Sequence, residues 1–525
     1  MLVREQRVSD LKDPSRRQAI RYIIGGAIAA TCPVPLGSTA AAQSSQGGAN
    51  SQPHLTLGSE NNTLCHKVRD GGTFQFPSAS GAEYDTVIIG GGPSGLIAAY
   101  KLRGTNFILL EKEPRLGGNA ISEQWKGQWY STGAAYQEDN QVGELCRELG
   151  MEIHKIRSVD ACIVNNTLVP EFWTAGLWKS PYPESVKKNF SRFMSDMKAL
   201  DRKANEQKLD DMTFAELLKP YGPEVKAWFD NFGPNNWGGN TEHTSALVGA
   251  EVVYWVGGID QERFTWPGGL GRISLALESA INKSGDSRLH KQATVLQVEQ
   301  KASKVYVSYS EQGQLKTIAA KTAIIACPKF IAKRIIKGLD QEHFDAMTAM
   351  RYQPYLVVNV CSNQVIYNGS FDTNIPAPSI IVDFNVADWV VNRDNKNNER
   401  PAILTCYVPR PEEERSRVLH DDYCIQTGEK VVDQLDVWFP GSKGKVEEVH
   451  IYRRGHPMYV SAPGVITRLA PKIRKPQGNL FFAHSDSEGG VTDYSTAYAA
   501  ADRTSKEVMA ALGRGASRSS VAVAG

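Results

Sequence analysis

No two of the eight cysteines stand at C-x-x-C spacing, and no His-rich pattern accompanies them. Structural zinc needs paired ligands at short spacing, so that class is excluded. There is no H-E-x-x-H run, which removes the common zinc-hydrolase pattern. Basic and acidic residues nearly cancel, at 59 against 57, and no basic stripe carries interleaved aromatics. Nucleic-acid binding leaves such a footprint, so no nucleic-acid partner is expected. Long apolar runs are also missing. The run at residues 22–36 is too short to span a bilayer. There is no internal repeat, and no serine or cysteine nucleophile motif with a paired base.

The N-terminus is the first informative segment. Ser15-Arg16-Arg17-Gln18 precedes that weakly apolar run, which contains Gly25 and Gly26, and Ala40-Ala41-Ala42 follows it. A basic pair, a short apolar stretch and an A-x-A site make an export signal. Paired arginines and low hydrophobicity favour the twin-arginine route, with its export machinery as partner. The expected location is periplasmic or secreted. Cys32 offers a lipoprotein alternative, although Thr31 before it is a poor fit. Removing residues 1–42 takes away six basic and three acidic residues, which leaves the mature chain nearly neutral. A chain that folds in a reducing cytosol before export need not use disulfides.

Residues 43–83 read as a linker and polar lead-in. The next segment carries the strongest local pattern. A β-branched strand begins at Tyr84, and Val87-Ile88-Ile89 runs into Gly90-Gly91-Gly92-Pro93-Ser94-Gly95. This is G-x-G-x-x-G between a strand and a helix. Gly90 permits the tight turn, Gly92 lets backbone approach a pyrophosphate, and Gly95 lets the helix pack on the strand. The helix N-terminus then faces the phosphates. Glu111 ends a second strand about 20 residues on, where a carboxylate accepts hydrogen bonds from a ribose. The pattern predicts a dinucleotide-binding βαβ unit.

After Glu111 comes Arg115-Leu116-Gly117-Gly118-Asn119, which resembles the R-x-G-G motif of the flavin amine oxidase and phytoene desaturase superfamily. Further segments fall in that superfamily's order. They are residues 129–136, Trp266-Pro267-Gly268-Gly269, residues 323–328 and Phe482-Ala483-His484-Ser485-Asp486. The resemblance covers residues 84–512. Closer still are exported FAD-dependent oxidoreductases, some similar to polyamine dehydrogenases. It implies an α/β fold: a Rossmann-like FAD-binding domain with an interleaved α+β substrate domain. The FAD-binding parts would be 84–140, 266–350 and 461–512. A helical substrate block at 141–265 and a substrate sheet at 351–460 would lie between them, with a disordered tail at 513–525. FAD is the implied cofactor. Arg115, Gly117, Gly118 and Asn119 would lie along it, Val295 would touch adenine through its backbone, and Asp486 would hold the ribityl or diphosphate. Asn119 and His484 depart from the usual pattern, and Asn119 also occurs in sugar-nucleotide mutases.

Flavin supplies the difficult redox step, so the protein has only to position the substrate and exclude water. The resemblance places His456 on a loop over the flavin, as a proton acceptor or orienting group; a structural His-Pro turn is the alternative. Tyr136 and Tyr459 are candidate aromatic walls beside an amine, against ordinary core packing. Residues 235–245 are polar and Gly-rich, either a channel lining or a surface loop. Cys65-His66 lacks further ligands for a metal, and Cys327 reads as a small buried hydrophobe. No second dinucleotide motif has the flanking strand and helix, so no NAD(P)H site is expected. Electrons would then go to oxygen, a quinone or a cytochrome. The expected activity is oxidation of a small amine by hydride transfer. The alternatives are a lipid or isoprenoid desaturase or isomerase, a sugar-nucleotide mutase, or an FAD-bound carrier.

Overall fold

Two large sheets carry the fold, and each collects strands from distant parts of the chain. The computed structural model describes residues 53–81, 83–254, 256, 262–283 and 288–513. The expected export signal at 1–42, the linker up to 52 and the tail from 514 lie outside the described residues.

In the first sheet, Tyr84–Ile89 sits centrally, with Phe107–Leu110 parallel on one side and the long strand Gln314–Ile325 on the other. Leu480–Phe482 also joins that long strand in parallel. The run Val87-Ile88-Ile89 is buried on both faces, as a parallel strand must be. Helix Pro93–Lys101 covers one face. Its Gly95, Ala98 and Ala99 are buried, and their small size lets it lie close to the sheet. The terminal helix Tyr494–Ala511 packs beside it, capped where Asp493 accepts a hydrogen bond from the Thr496 amide. Antiparallel strands Ala293–Lys301 and Lys304–Glu311 extend the sheet, so three separate stretches of chain build this one domain.

The second sheet runs His54–Ser59, Val446–Tyr459, Tyr352–Ser362, Ala402–Pro409, Asp383–Val386, Asp372–Asn374, Ala161–Val164 and Thr167–Val169 in order. Helix Asp421–Trp438 covers one of its faces. A helical block fills residues 172–251 around a cluster of rings. Trp228 lies 4.8 Å from Trp173 and 4.9 Å from both Phe229 and Phe232. Each fully buried ring of this kind contributes about 1.5–3 kcal/mol of transfer free energy. This cluster accounts for much of the aromatic supply in the sequence.

Three sequence expectations need correction. The lead-in at 43–83 is not all linker: His54–Ser59 is a strand, paired parallel to Val446–Tyr459 from His54 opposite Glu448 to Ser59 opposite Arg453, and Thr63–Arg69 is a helix. Its pairing partner lies near the other end of the chain, beyond any local signal. The block at 141–265 is not purely helical, because Ala161–Val164 pairs with Asp372–Asn374 and extends the substrate sheet. The apolar run Ser379-Ile380-Ile381-Val382-Asp383 reads as a strand from the sequence, but the strand begins at Asp383 instead.

Candidate active site

A cleft of about 900 Å³ runs along the C-terminal end of the first sheet. The glycines at its floor serve different ends. Gly90 has φ +106°, and a Cβ there would sit 2.8 Å from the Ala326 carbonyl oxygen. A Cβ on Gly95 would lie 1.9 Å from the Gly90 oxygen. Both are glycine because the protein's own backbone crowds them. Gly92 differs. A Cβ there would meet only Gly118 Cα, at 3.9 Å, so the free space lies on the cleft side. Gly92 also caps helix Pro93–Lys101 with no side-chain hydrogen bond, which leaves the first helical amides for a ligand. Gly117 and Gly118 have φ +122° and +56° and turn the next loop back over Gly92.

Glu111 lies on the cleft wall, nearly buried. Its two oxygens accept hydrogen bonds from the Gly91 amide at 2.6 Å and the Glu113 amide at 2.8 Å. Burial raises its pKa, and those two amides oppose the rise. Each oxygen keeps a second lone pair for a ribose hydroxyl. Val295 also lines the cleft, at a bulge between Val295 and Gln297 that breaks the ladder to Lys304–Glu311. Arg115 stands on the rim, half exposed, 2.7 Å from Glu123. Asn119 donates from Nδ2 to the Pro457 carbonyl at 2.9 Å, which ties this loop to the strand carrying His456.

His456 lines the cleft and stacks on Phe330, with ring centroids 4.3 Å apart. Burial, reinforced by Arg415, pushes its pKa down to about 4, so the ring is neutral near pH 7. Cys327 also lines the cleft, and burial pushes its thiol up to about 12, which keeps it unreactive. Among the described residues no group of three or more His, Cys, Asp or Glu side chains is arranged to hold a metal.

Five expected site residues do not reach the cleft wall: Gly95 and Gly117, crowded by the protein's own backbone, and three side chains. Asp486 is fully buried, 2.8 Å from Lys329 Nζ, and accepts hydrogen bonds from the Lys329 amide and the Tyr352 hydroxyl. Its neighbours His484 and Ser485 line the cleft in its place. Tyr459 donates to the carbonyls of Gly490 and Val491 and belongs to the core. Tyr136 packs edge-on against Phe371, with the Arg263 guanidinium 5.2 Å over its ring. Core packing claims both tyrosines.

Two features went unread in the sequence. The lead-in strand, the helix and the link between them supply Gly58, Glu60, Cys65, His66 and Arg69 to the cleft wall. The second is a polar face on the substrate sheet, where Tyr355 and Tyr407 meet at 6.3 Å. Tyr407 donates to the Gly133 carbonyl at 2.8 Å, and the flanking Thr132 and Ala134 line the cleft. The polar face therefore abuts one end of the cleft. Asn235, in the Gly-rich segment considered for a channel, reaches this face through Asp383 at 2.6 Å. Alternating polar residues at 383 and 385 carried the signal.

The model for flavin containing amine oxidoreductases matches residues 93–509. Flavin-containing amine oxidase B of Bos taurus is 25% identical, aligned over 82% of this chain and 87% of its own. Among solved structures, cyclohexylamine oxidase from Brevibacterium oxydans superposes with a TM-score of 0.65 at 19% identity, over 82% of this chain and all of its own. A putrescine oxidase solved with putrescine gives 0.65 at 18%, over 82% and 99%. These likenesses show the fold: a Rossmann-like FAD-binding domain with a substrate domain. The open side of Gly92, the free helix amides, the Glu111 carboxylate and the bulge at Val295 fit such a cofactor. The chain belongs to the flavin-containing amine oxidoreductase family, and it is an oxidoreductase with FAD as cofactor.

Proposed function

We propose that this protein oxidises a small amine. The observation that carries the reading is the polar, aromatic-flanked face around Tyr355 and Tyr407 at the end of the cofactor cleft, in a chain of this family. Bound FAD supplies the hydride acceptor. The chain's own residues supply the rest. Tyrosine faces attract an alkylammonium group as it enters. Burial pushes the hydroxyls of Tyr355 and Tyr407 well above the usual tyrosine range, so they stay protonated and act as donors. Lipid or isoprenoid desaturation is less well supported, because an apolar tail would leave this polar face unpaired.

The test is anaerobic. Primary amines should bleach the flavin absorbance of the holoprotein within the time of mixing. If dithionite bleaches it and no amine does, the reading is wrong. In turnover, oxygen, a quinone or a cytochrome would take the electrons from the flavin that the amine has reduced.

The same proposal includes export through the twin-arginine route, supported by Arg16-Arg17 and the weakly apolar run behind them. Changing both arginines to lysine should trap folded, flavin-loaded protein in the cytoplasm. Unchanged appearance outside the cytoplasm by immunoblot would refute this part alone.

A further inference from the structure

The lead-in segment crosses the cleft and is fastened on both sides of it. Its strand, His54–Ser59, pairs with Val446–Tyr459 of the second sheet, and Leu55 and Leu57 pack on the apolar core under helix Asp421–Trp438. Its helix, Thr63–Arg69, packs instead against strand Ala293–Lys301 and helix Lys329–Ile335, where Val68 joins the core of the first sheet. The link between them is held where the Asn61 amide donates to Glu113 at 3.0 Å, two residues beyond Glu111. Between these anchors Gly58, Glu60, Cys65 and His66 line the cleft.

A cation with unfilled donors stands against this link. The Arg454 side chain lines the cleft and is 11% exposed. Its contacts are all long: Glu60 at 3.4 Å, the Gly118 carbonyl at 3.2 Å and the Thr132 hydroxyl at 3.3 Å. Its Nε is buried and has no hydrogen-bond partner among the described residues. A guanidinium carries five donors in a planar fork that suits phosphate oxygens. Gly118 is the residue that turns back over Gly92, so the guanidinium stands beside the place where a pyrophosphate approaches the helix amides.

We propose that the lead-in segment is a strap on the FAD site: it closes over the adenosine and diphosphate half of the bound cofactor and, through Glu60, holds Arg454 against the diphosphate. The inference concerns the cofactor and stands whichever substrate is oxidised. Burial would raise the Glu60 pKa, but Lys112 and Arg454 outweigh it and hold the group below the usual range. Glu60 is therefore a carboxylate at neutral pH and keeps the guanidinium in place before the cofactor arrives. The helix is the weaker fastening. It has seven residues, none of them buried, and no side-chain cap. Segments with so few buried contacts open at low free energy. Undocking of this helix is the step that lets FAD in and out.

Limited trypsin digestion reads the strap directly, because Lys67 and Arg69 are exposed on that helix. In the wild-type chain, saturating FAD should slow cleavage after these residues at least about ten-fold. The same rate with and without FAD overturns the strap. Val68→Asp changes the helix's anchor and no residue of the cleft wall. Its FAD dissociation rate should rise at least about ten-fold, with little change in the thermal unfolding of the apoprotein. An unchanged dissociation rate, while trypsin cuts freely after Lys67 and Arg69, also overturns the strap. Arg454→Gln should weaken FAD affinity at least about ten-fold, the loss expected for one charged hydrogen bond, at an unchanged flavin midpoint potential. Unchanged affinity overturns the role of Arg454. So does a lowered potential, which would place the lost cation at the flavin ring instead of the diphosphate.

Discussion

Gly92→Val is expected to give a folded, colourless protein. The backbone tolerates the change: Gly92 has φ −70°, a value any residue adopts, and its Cβ would meet only Gly118 Cα at 3.9 Å. Valine is a poorer helix cap than glycine, which costs on the order of 1 kcal/mol. The valine methyls would occupy the cleft side, where the pyrophosphate has to approach the helix amides. Ligand binding then fails for steric reasons while the apoprotein survives. Gly95→Ala is the control, because its Cβ would lie 1.9 Å from the Gly90 oxygen and force helix and strand apart. That variant should lose flavin and stability together. The measurement is flavin absorbance after gel filtration, beside thermal unfolding of the FAD-free forms; comparing apo forms matters because bound ligand itself raises stability. A yellow Gly92→Val protein would mean that the diphosphate lies elsewhere.

The contrast between these glycines shows what was legible in the sequence. Gly90, Gly95 and Glu111 are fixed by local backbone needs, and a strand-turn-helix pattern displays such needs within about 25 residues. The helices of the substrate block were legible from the helical composition and Lys/Glu-rich faces of residues 141–149 and 184–230. The lead-in strand was not, because its partner at Glu448–Arg453 is remote and its own side chains are mixed. Tyr459 stands three residues after His456, but strand parity decides its direction. Tyr452, Arg454 and Met458 point to one face, and Tyr459, opposite Tyr352, points to the other. Tyr136 failed for a similar reason, since the motif beside it fixes the main chain and not the packing of the ring. The polar face around Tyr355, Tyr407 and Asp383 shows locally only as the alternation at 383 and 385, and its assembly rests on sheet register.

Asp486 separates a cofactor ligand from a structural keystone, and its substitution should have the largest effect on stability. Both Asp486 and Lys329 side chains are 0% exposed. Burial alone would raise the Asp486 pKa, but the His484 and Lys329 charges outweigh it and hold the carboxyl well below the usual range. The group is therefore a carboxylate at neutral pH. Asp486→Asn leaves the Lys329 ammonium buried without its counter-charge, which costs about 3–5 kcal/mol. Adding Lys329→Met should recover much of that loss, because removing both charges avoids the stranded ion. Acid should mimic the single substitution. A carboxyl with a depressed folded pKa contributes stability that is present above its unfolded value, about 3.9, and fades as pH falls toward the folded one. Flavin affinity would fall as a consequence, since His484 loses its carboxylate partner, 3.0 Å away, at the cleft edge. If Asp486 instead acted mainly by holding the ribityl chain, Asp486→Asn would weaken FAD binding at unchanged apoprotein stability, and Lys329→Met would rescue nothing. Denaturant unfolding of the two FAD-free variants beside wild type decides between these outcomes.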